Sequence, residues 1–339
     1  FIRPDDLTSE PAPRALLDTL TGDSIARVMG STLAVLNRSS TMGDNVTFFD
    51  LRGGAPRYSC QLGLVTPDEL AVSGRRPYAN AHDVIAIDPH RLYVARWNLP
   101  SLAVVDLTRN GVTATLDLSR FRGTAPLPYP DSFARVNGEV WVTLQRLDDL
   151  RAPTQPGLIV RIDPATAPVR DTITLPRANP IGAMQRRPGA DELWVSAVGS
   201  FTVEGDGGLV RVSTGGEVLG EALDERAAGG NIDAFAFLDA DRVVLRVTGL
   251  LDASNSVRET RFVMFDVRTR ESIAWYTSST WSPAPPLVLD GKVFLGDPGD
   301  GIERQGAGVR VLGLTGERLR ASNITTGPGM WPYDLAVVP

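Results

Sequence analysis

The sequence contains few of the residues that build redox, metal or membrane sites. Cys60 is the only cysteine among 339 residues, which excludes an intrachain disulfide, a CxxC metal site and CxxCH haem attachment. His82 and His90 are the only histidines, so a histidine-based active site has few candidates. No apolar run approaches the ~18 residues that a membrane-spanning helix needs, and no transmembrane segment is predicted.

Positive charge is also scarce. The 34 basic residues are outnumbered by 40 acidic ones, giving a net charge of −6, and Lys292 is the only lysine. Nucleic acid binding requires clustered positive charge, and the sequence shows no basic stripe, so a nucleic acid partner is not expected. Arginine in place of lysine is typical of a GC-rich bacterial genome. Because the chain begins at Phe1 rather than methionine, we expect a processed or trimmed start, with membrane association only through a removed or unseen anchor.

A cassette of four short strand patterns recurs along the chain. The clearest copy, over residues 83–118, reads DVIAID, RLYVARW, LAVVDLT and VTATLDL, each segment alternating or fully apolar and bounded by turn residues. The fourth segment is the most polar, as in VRDTITL from Val169, which suits an exposed edge strand. Four antiparallel strands per repeat predict an all-β propeller in which each repeat forms one blade.

The spacing of the repeats sets the predicted number of blades. First strands start near residues 24, 83, 132, 181, 232, 284 and 333, at intervals of 49 to 59 residues. They define six full repeats in a single propeller domain over residues 1–339, followed by one more first strand at 333–339. Residues 14–20 resemble a lone fourth strand, so a closing blade is expected from residues 333–339 and about 1–23. Seven blades are favoured, with six as the alternative.

Two repeats carry a more specific pattern. LYVARW from Leu92 is followed by LAVVDLTRNGVTATLDL from Leu102, and residues 157–175 read GLIVRIDPATAPVRDTITL. Both resemble the repeat of YVTN-type β-propellers of the bacterial envelope and surface. The stretches LQRLDD from Leu144 and EGDGG from Glu204 are similar to segments of uncharacterised envelope lipoproteins of this type. The resemblance implies a propeller exported to the periplasm or the cell surface of a bacterium.

The loops indicate which face of the propeller would bind. The loops between second and third strands lie on the same face as the entrances to the first strands, and five of them are long: 37–45, 147–157, 199–208, 249–260 and 297–308. An acid stands at five of the seven entrances: Asp23, Asp83, Asp131, Asp233 and Asp334. Such a ring at the channel mouth suits a protein partner or a cation, with Asp83, Asp131 and Asp233 as candidate Ca²⁺ ligands. The alternative is that each Asp caps a turn through nearby backbone amides.

Three more residues near this face are candidates. His82 is a weak candidate for a catalytic base, against the alternative of an ordinary loop histidine. Its neighbour Asp83 is not expected to orient it, because adjacent residues of a strand point to opposite faces. Trp281 and Trp331 precede first strands, so we predict that they contact a partner, with packing as the alternative.

No motif for catalysis or cofactor binding stands out. The sequence lacks GxSxG, HExxH, Walker and GxGxxG patterns in the required context. The expected function is a non-catalytic exported propeller, acting as a protein-interaction or accessory subunit at the bacterial cell envelope. No cofactor is expected except Ca²⁺ if the aspartates hold one. The alternative is a metal-dependent lactonase, gluconolactonase-like enzyme or lyase with its site at the channel mouth.

Overall fold

Six antiparallel sheets follow one another along the chain. The computed structural model describes residues 23–39, 43–53, 56–72, 77–166, 168–203, 205–249, 259–299, 305–325 and 332–337. Within these residues the first five sheets have four strands each and the sixth has three. The strands of each sheet pair in chain order, so each sheet is one propeller blade built from one predicted repeat.

The strands of the first three blades lie where the sequence pattern places them. Blade one comprises β1 (Ser24–Met29), β2 (Thr32–Ser39), β3 (Gly43–Asp50) and β4 (Arg57–Gly63). Helix α1 (Pro67–Val72) leads to blade two, which comprises β5 (Ala81–Ala86), β6 (Arg91–Arg96), β7 (Ser101–Asp106) and β8 (Gly111–Asp117). A short 3₁₀ turn (Ser119–Phe121) precedes blade three, which comprises β9 (Pro130–Val136), β10 (Glu139–Leu144), β11 (Leu158–Ile162) and β12 (Val169–Thr174).

The second half of the chain repeats this arrangement. Blade four comprises β13 (Gln185–Arg186), β14 (Glu192–Ala197), β15 (Gly208–Ser213) and β16 (Val218–Asp224). Helix α2 (Glu225–Ala228) leads to blade five, which comprises β17 (Asn231–Phe237), β18 (Arg242–Thr248), β19 (Thr260–Asp266) and β20 (Ser272–Ser278). Blade six comprises β21 (Leu287–Leu289), β22 (Lys292–Asp297) and β23 (Gly308–Gly313). None of the helices in the described ranges is long and apolar enough to cross a membrane.

The hydrophobic core lies between adjacent blades. One cluster joins Leu36 and Phe48 of blade one to Val94 of blade two. Another places Trp194 of blade four against Phe235 of blade five, with ring centroids 6.4 Å apart. The second strands supply the most buried side chains, whereas the fourth strands are largely exposed, as the polar fourth segments predicted. Blade-to-blade packing is therefore the main source of the stability of the ring.

The prediction of seven blades is wrong. The described residues form six sheets, and residues 333–337, predicted as a seventh first strand, form no strand. A strand requires a backbone ladder, but Asp334 contacts blade one through its side chain, and Leu335 packs on the blade-six cluster around Phe294. Residues 332–337, here called the closing segment, thus join blade six to blade one. The predicted strand at residues 14–20 lies outside the described residues.

Candidate functional site at the mouth of the ring

Three of the predicted aspartates connect one first strand to the next. Each accepts a hydrogen bond from a backbone N–H of the following blade, about 50 residues further round the ring or across its closure. The turn-cap alternative correctly named backbone amides as the partners, but these amides belong to the neighbouring blade. The pairs are Asp83 Oδ2 with the N–H of Phe133 (2.8 Å), Asp131 Oδ2 with Gly182 (2.9 Å) and Asp334 Oδ2 with Ala26 (2.9 Å).

The remaining oxygens of these aspartates face basic groups. Arg27 lies between two of them, with Nε 2.6 Å from Asp83 Oδ1 and Nη1 2.9 Å from Asp334 Oδ2. Asp233 pairs with Arg246 Nε at 2.7 Å, and Asp23 accepts from Arg38 Nε at 3.0 Å. The predicted ring of acids is therefore a set of separate ion pairs on different blades.

The predicted Ca²⁺ ligands do not share a site in this structure. Among the described residues, no three His, Cys, Asp or Glu side chains lie close enough to hold one metal ion. Both oxygens of Asp83 and Asp131 accept hydrogen bonds from protein donors, and Asp233 accepts from Arg246 and Thr248. A cation there would have to displace these donors, and the Ca²⁺ site stays a prediction.

His82 and Asp131 form the centre of a tightly connected group. His82 Nδ1 lies 2.7 Å from Asp131 Oδ1, which also accepts from Gln145 Nε2 at 3.1 Å. Gln145 Oε1 in turn accepts from Trp97 Nε1 at 2.7 Å. The ring of Trp97 stacks on the His82 ring with centroids 5.0 Å apart and planes 3° from parallel. The four side chains thus form a closed loop that fixes the position and the plane of the imidazole.

A β-bulge explains how His82 reaches a different blade. Ala81 pairs with Arg96 and Asp83 with Ala95, so His82 is the extra residue of β5 and has no partner on β6. A bulge breaks the strict alternation of side chains and redirects the bulged residue. His82 consequently extends toward blade three, while Asp83 pairs with Arg27. As expected from the sequence, the two neighbours do not act as a pair.

Two further residues of blade three complete the group. Tyr129 packs on Trp97 with centroids 4.7 Å apart, and the guanidinium of Arg151 lies 4.0 Å from the centre of the Trp97 ring. Both have positive φ, 53° for Tyr129 and 67° for Arg151. Asn80 and Asn179, which tolerate this conformation, stand where Tyr129 stands in blade three, directly before a first strand. For a bulky tyrosine it costs about 1–3 kcal/mol, and such strain tends to gather at functional sites.

We call these six residues the mouth cluster: His82, Trp97, Tyr129, Asp131, Gln145 and Arg151. Sequence reasoning proposed His82 and Asp131 but not their pairing, and it missed the other four. Burial lowers the pKa of His82, although Asp131 acts in the opposite direction. The imidazole is therefore neutral at neutral pH. Since the Asp131 carboxylate can only accept a hydrogen bond, Nδ1 carries the proton and Nε2 carries the lone pair.

The two predicted tryptophans have different outcomes. Trp281 is 36% exposed and contacts Tyr333 of the closing segment edge-on, with centroids 6.0 Å apart. It is thus half-packed and half-available, and its predicted role as a contact residue stays open to test. Trp331 lies outside the described residues.

Known proteins resemble this chain in fold. No family model and no curated protein matches its sequence. Among solved structures, the Dos1 propeller superposes with a TM-score of 0.57 at 12% identity, covering 89% of this chain and 73% of that one. Streptogramin B lyase gives 0.53 at 9% identity, covering 90% and 84%. Hydrazine synthase of Kuenenia stuttgartiensis gives 0.53 at 13% identity, covering 84% and 74%. These similarities establish the β-propeller fold, and because enzymes are among the neighbours, the fold alone does not assign a function.

Proposed function

We propose that this propeller is a protein-interaction or accessory subunit that binds its partner at the mouth. The observation that carries the proposal is a turn at residues 148–151, between β10 and β11, that presents Leu150 to solvent. Leu150 is 88% exposed, the highest value among the exposed large apolar residues of the described chain. Its neighbour Arg151 stacks on Trp97, which attaches the turn to the mouth cluster.

The turn is held by its own hydrogen bonds. Asp148 Oδ1 accepts from the backbone N–H of Leu150 at 2.8 Å and of Ala152 at 2.9 Å. The N–H of Asp148 donates to the carbonyl of Ala152 at 2.8 Å, and that of Arg151 donates to the carbonyl of Asp148 at 3.1 Å. Leu150 is thus fixed in an outward position before any partner arrives. A preorganised apolar side chain loses little entropy when a partner covers it.

Cross-linking from this position tests the proposal. A photoreactive phenylalanine analogue at position 150 should cross-link a partner in the native host, and the same analogue at Leu219 should not. Leu219 is the matched control because it is also exposed, at 43%, but lies on the outer strand β16 of blade four. Leu150→Asp should abolish co-purification of the cross-linked protein, and Leu219→Asp should preserve it. Equal partner recovery with both variants would contradict the proposal, and Trp281→Ala in the same assay tests the tryptophan predicted from the sequence.

We also propose export to the bacterial periplasm or cell surface. This proposal is supported by the YVTN-like segments LYVARW and GLIVRIDP, which form β6 and β11. Fractionation of native cells with an antibody against the chain tests it, and recovery in the cytoplasmic fraction alone would contradict it.

A further inference from the structure

His82 retains one ring nitrogen with no assigned role. Nδ1 is bound to Asp131, but Nε2 makes no hydrogen bond to any described residue, and the side chain is 16% exposed. Nε2 is thus an accessible lone pair on an imidazole fixed by Asp131, Gln145 and Trp97. This is the arrangement of a general base: a nitrogen that can take a proton, and a carboxylate that stabilises the imidazolium formed.

We propose that the mouth cluster is a hydrolytic site in which His82 acts as general base on water that attacks an ester or a lactone. This activity goes beyond the proposed interaction and does not depend on Leu150. His82 is the catalytic residue. Asp131, Gln145 and Trp97 are positioning residues, which hold the imidazole in one tautomer and one plane.

The chemistry around the dyad selects the substrate class. The side chains that contact His82 and Asp131 are those of Trp97 and Gln145, and neither is a nucleophile. Water is therefore the nucleophile, and the bond it attacks must be one that a base alone can open. Oxygen esters and lactones meet this condition because their leaving group is an alkoxide, which takes the proton back. The positive charge of Arg38 acts on the His82 ring, and a charge of that sign also favours an oxyanion nearby.

The proposed step balances without a co-reactant. Nε2 removes one proton from water while the water oxygen bonds to the carbonyl carbon and the carbonyl electrons move to oxygen. The tetrahedral oxyanion then collapses, the bond between carbon and the leaving oxygen breaks, and the imidazolium returns its proton to the alkoxide. The products are one carboxylic acid and one alcohol, joined in a single hydroxy acid when the substrate is a lactone.

Hydrolysis of 4-nitrophenyl acetate, γ-butyrolactone and δ-valerolactone by the purified chain tests the proposal. We expect hydrolysis of at least one probe above the buffer rate. His82→Gln and Asp131→Asn should each lower that rate by about 10²-fold or more, the range that general-base catalysis contributes. His90→Gln is the matched control and should leave the rate unchanged, since His90 is the other histidine of the chain and lies in an exposed turn between β5 and β6. No hydrolysis above the buffer rate, or a rate that His82→Gln retains, would overturn the proposal.

Two further measurements keep the inference separate from misfolding and from metal chemistry. Long-range ¹H–¹⁵N NMR of the His90→Gln chain should show His82 with its proton on Nδ1, and Asp131→Asn should change this pattern. Observation of the Nε2–H tautomer in the otherwise native chain would overturn the proposal. The hydrolytic rate should survive EDTA, whereas a rate that EDTA abolishes and Ca²⁺ restores would assign the activity to a metal site instead. Loss of partner cross-linking at Leu150 would leave these outcomes unaffected.

Discussion

His82 Nδ1 and Asp131 Oδ1 lie 2.7 Å apart, although 49 residues separate them in the chain. The contact joins β5 of blade two to β9 of blade three, and it exists because a bulge turns His82 out of its own sheet. A pair that joins two blades is sensitive to how the ring closes. The candidate site is therefore a property of the ring and not of either blade alone.

The titration of His82 should reveal its burial. Burial lowers the pKa of His82 from its ordinary value of 6.5, so the folded chain favours the neutral imidazole. The stability contributed is fully present above pH 6.5 and is lost as the pH falls from there toward the lower pKa of the folded state. We expect an NMR titration of the His90→Gln chain to give a midpoint below 6.5. A midpoint above 6.5 would show that the Asp131 carboxylate dominates over burial.

Glu225 should make stability depend on pH in the opposite direction. It is fully buried and accepts from the backbone N–H groups of Gly207 and Ile232, and burial raises its pKa to about 8. The folded chain holds this proton where the unfolded chain releases it, so the free energy of unfolding should fall as pH rises from about 4.5 to about 8. Urea unfolding at several pH values measures the slope. Glu225→Gln should flatten it, whereas Glu217→Gln at an exposed turn should not; an unchanged slope in Glu225→Gln would contradict the assignment.

Arg27 should be important for closing the ring. Removing its guanidinium leaves the buried carboxylates of Asp83 and Asp334 without their shared cation. We expect Arg27→Ala to lower the free energy of unfolding by about 2–3 kcal/mol, less than a fully buried pair because Arg27 is one-third exposed. Arg52→Ala is the control, since Arg52 pairs with Asp50 on the open surface and should have no measurable effect. Equal effects of the two substitutions, measured by urea unfolding, would contradict this role.

Trp194 should contribute strongly to the packing of blade four on blade five. Its side chain is fully buried, and its ring lies 5.0 Å from that of Phe237 and 6.4 Å from that of Phe235. Trp194→Ala leaves a cavity at this interface and should lower the free energy of unfolding by about 3–5 kcal/mol. The exposed Leu219 offers the comparison, and Leu219→Ala should change stability by less than about 0.5 kcal/mol. Calorimetry or urea unfolding distinguishes the two, and a Trp194→Ala chain as stable as Leu219→Ala would contradict this packing role.

Much of the fold was predictable because strand signals are local. Segments such as RLYVARW and VTATLDL alternate or run apolar over lengths that fit one strand, and each became a strand at the expected position. The number of blades was not predictable in this way. YDLAVVP at the end of the chain has the composition of a first strand, but its Asp334 bonds to Ala26 through a side chain, and no ladder forms. Strand propensity does not reveal whether a partner strand is available.

The sequence by itself determined which residue types were available: two histidines, one cysteine and an aspartate before most first strands. Tertiary structure alone decided what they do. The aspartates became connectors because the ring places each first strand beside the next, within reach of a carboxylate. His82 met Asp131 rather than Asp83 because a bulge overrides strand alternation, and Trp97 and Gln145 joined them from the ends of two second strands. Partners separated by a whole blade are set by the geometry of closure, which no local pattern encodes.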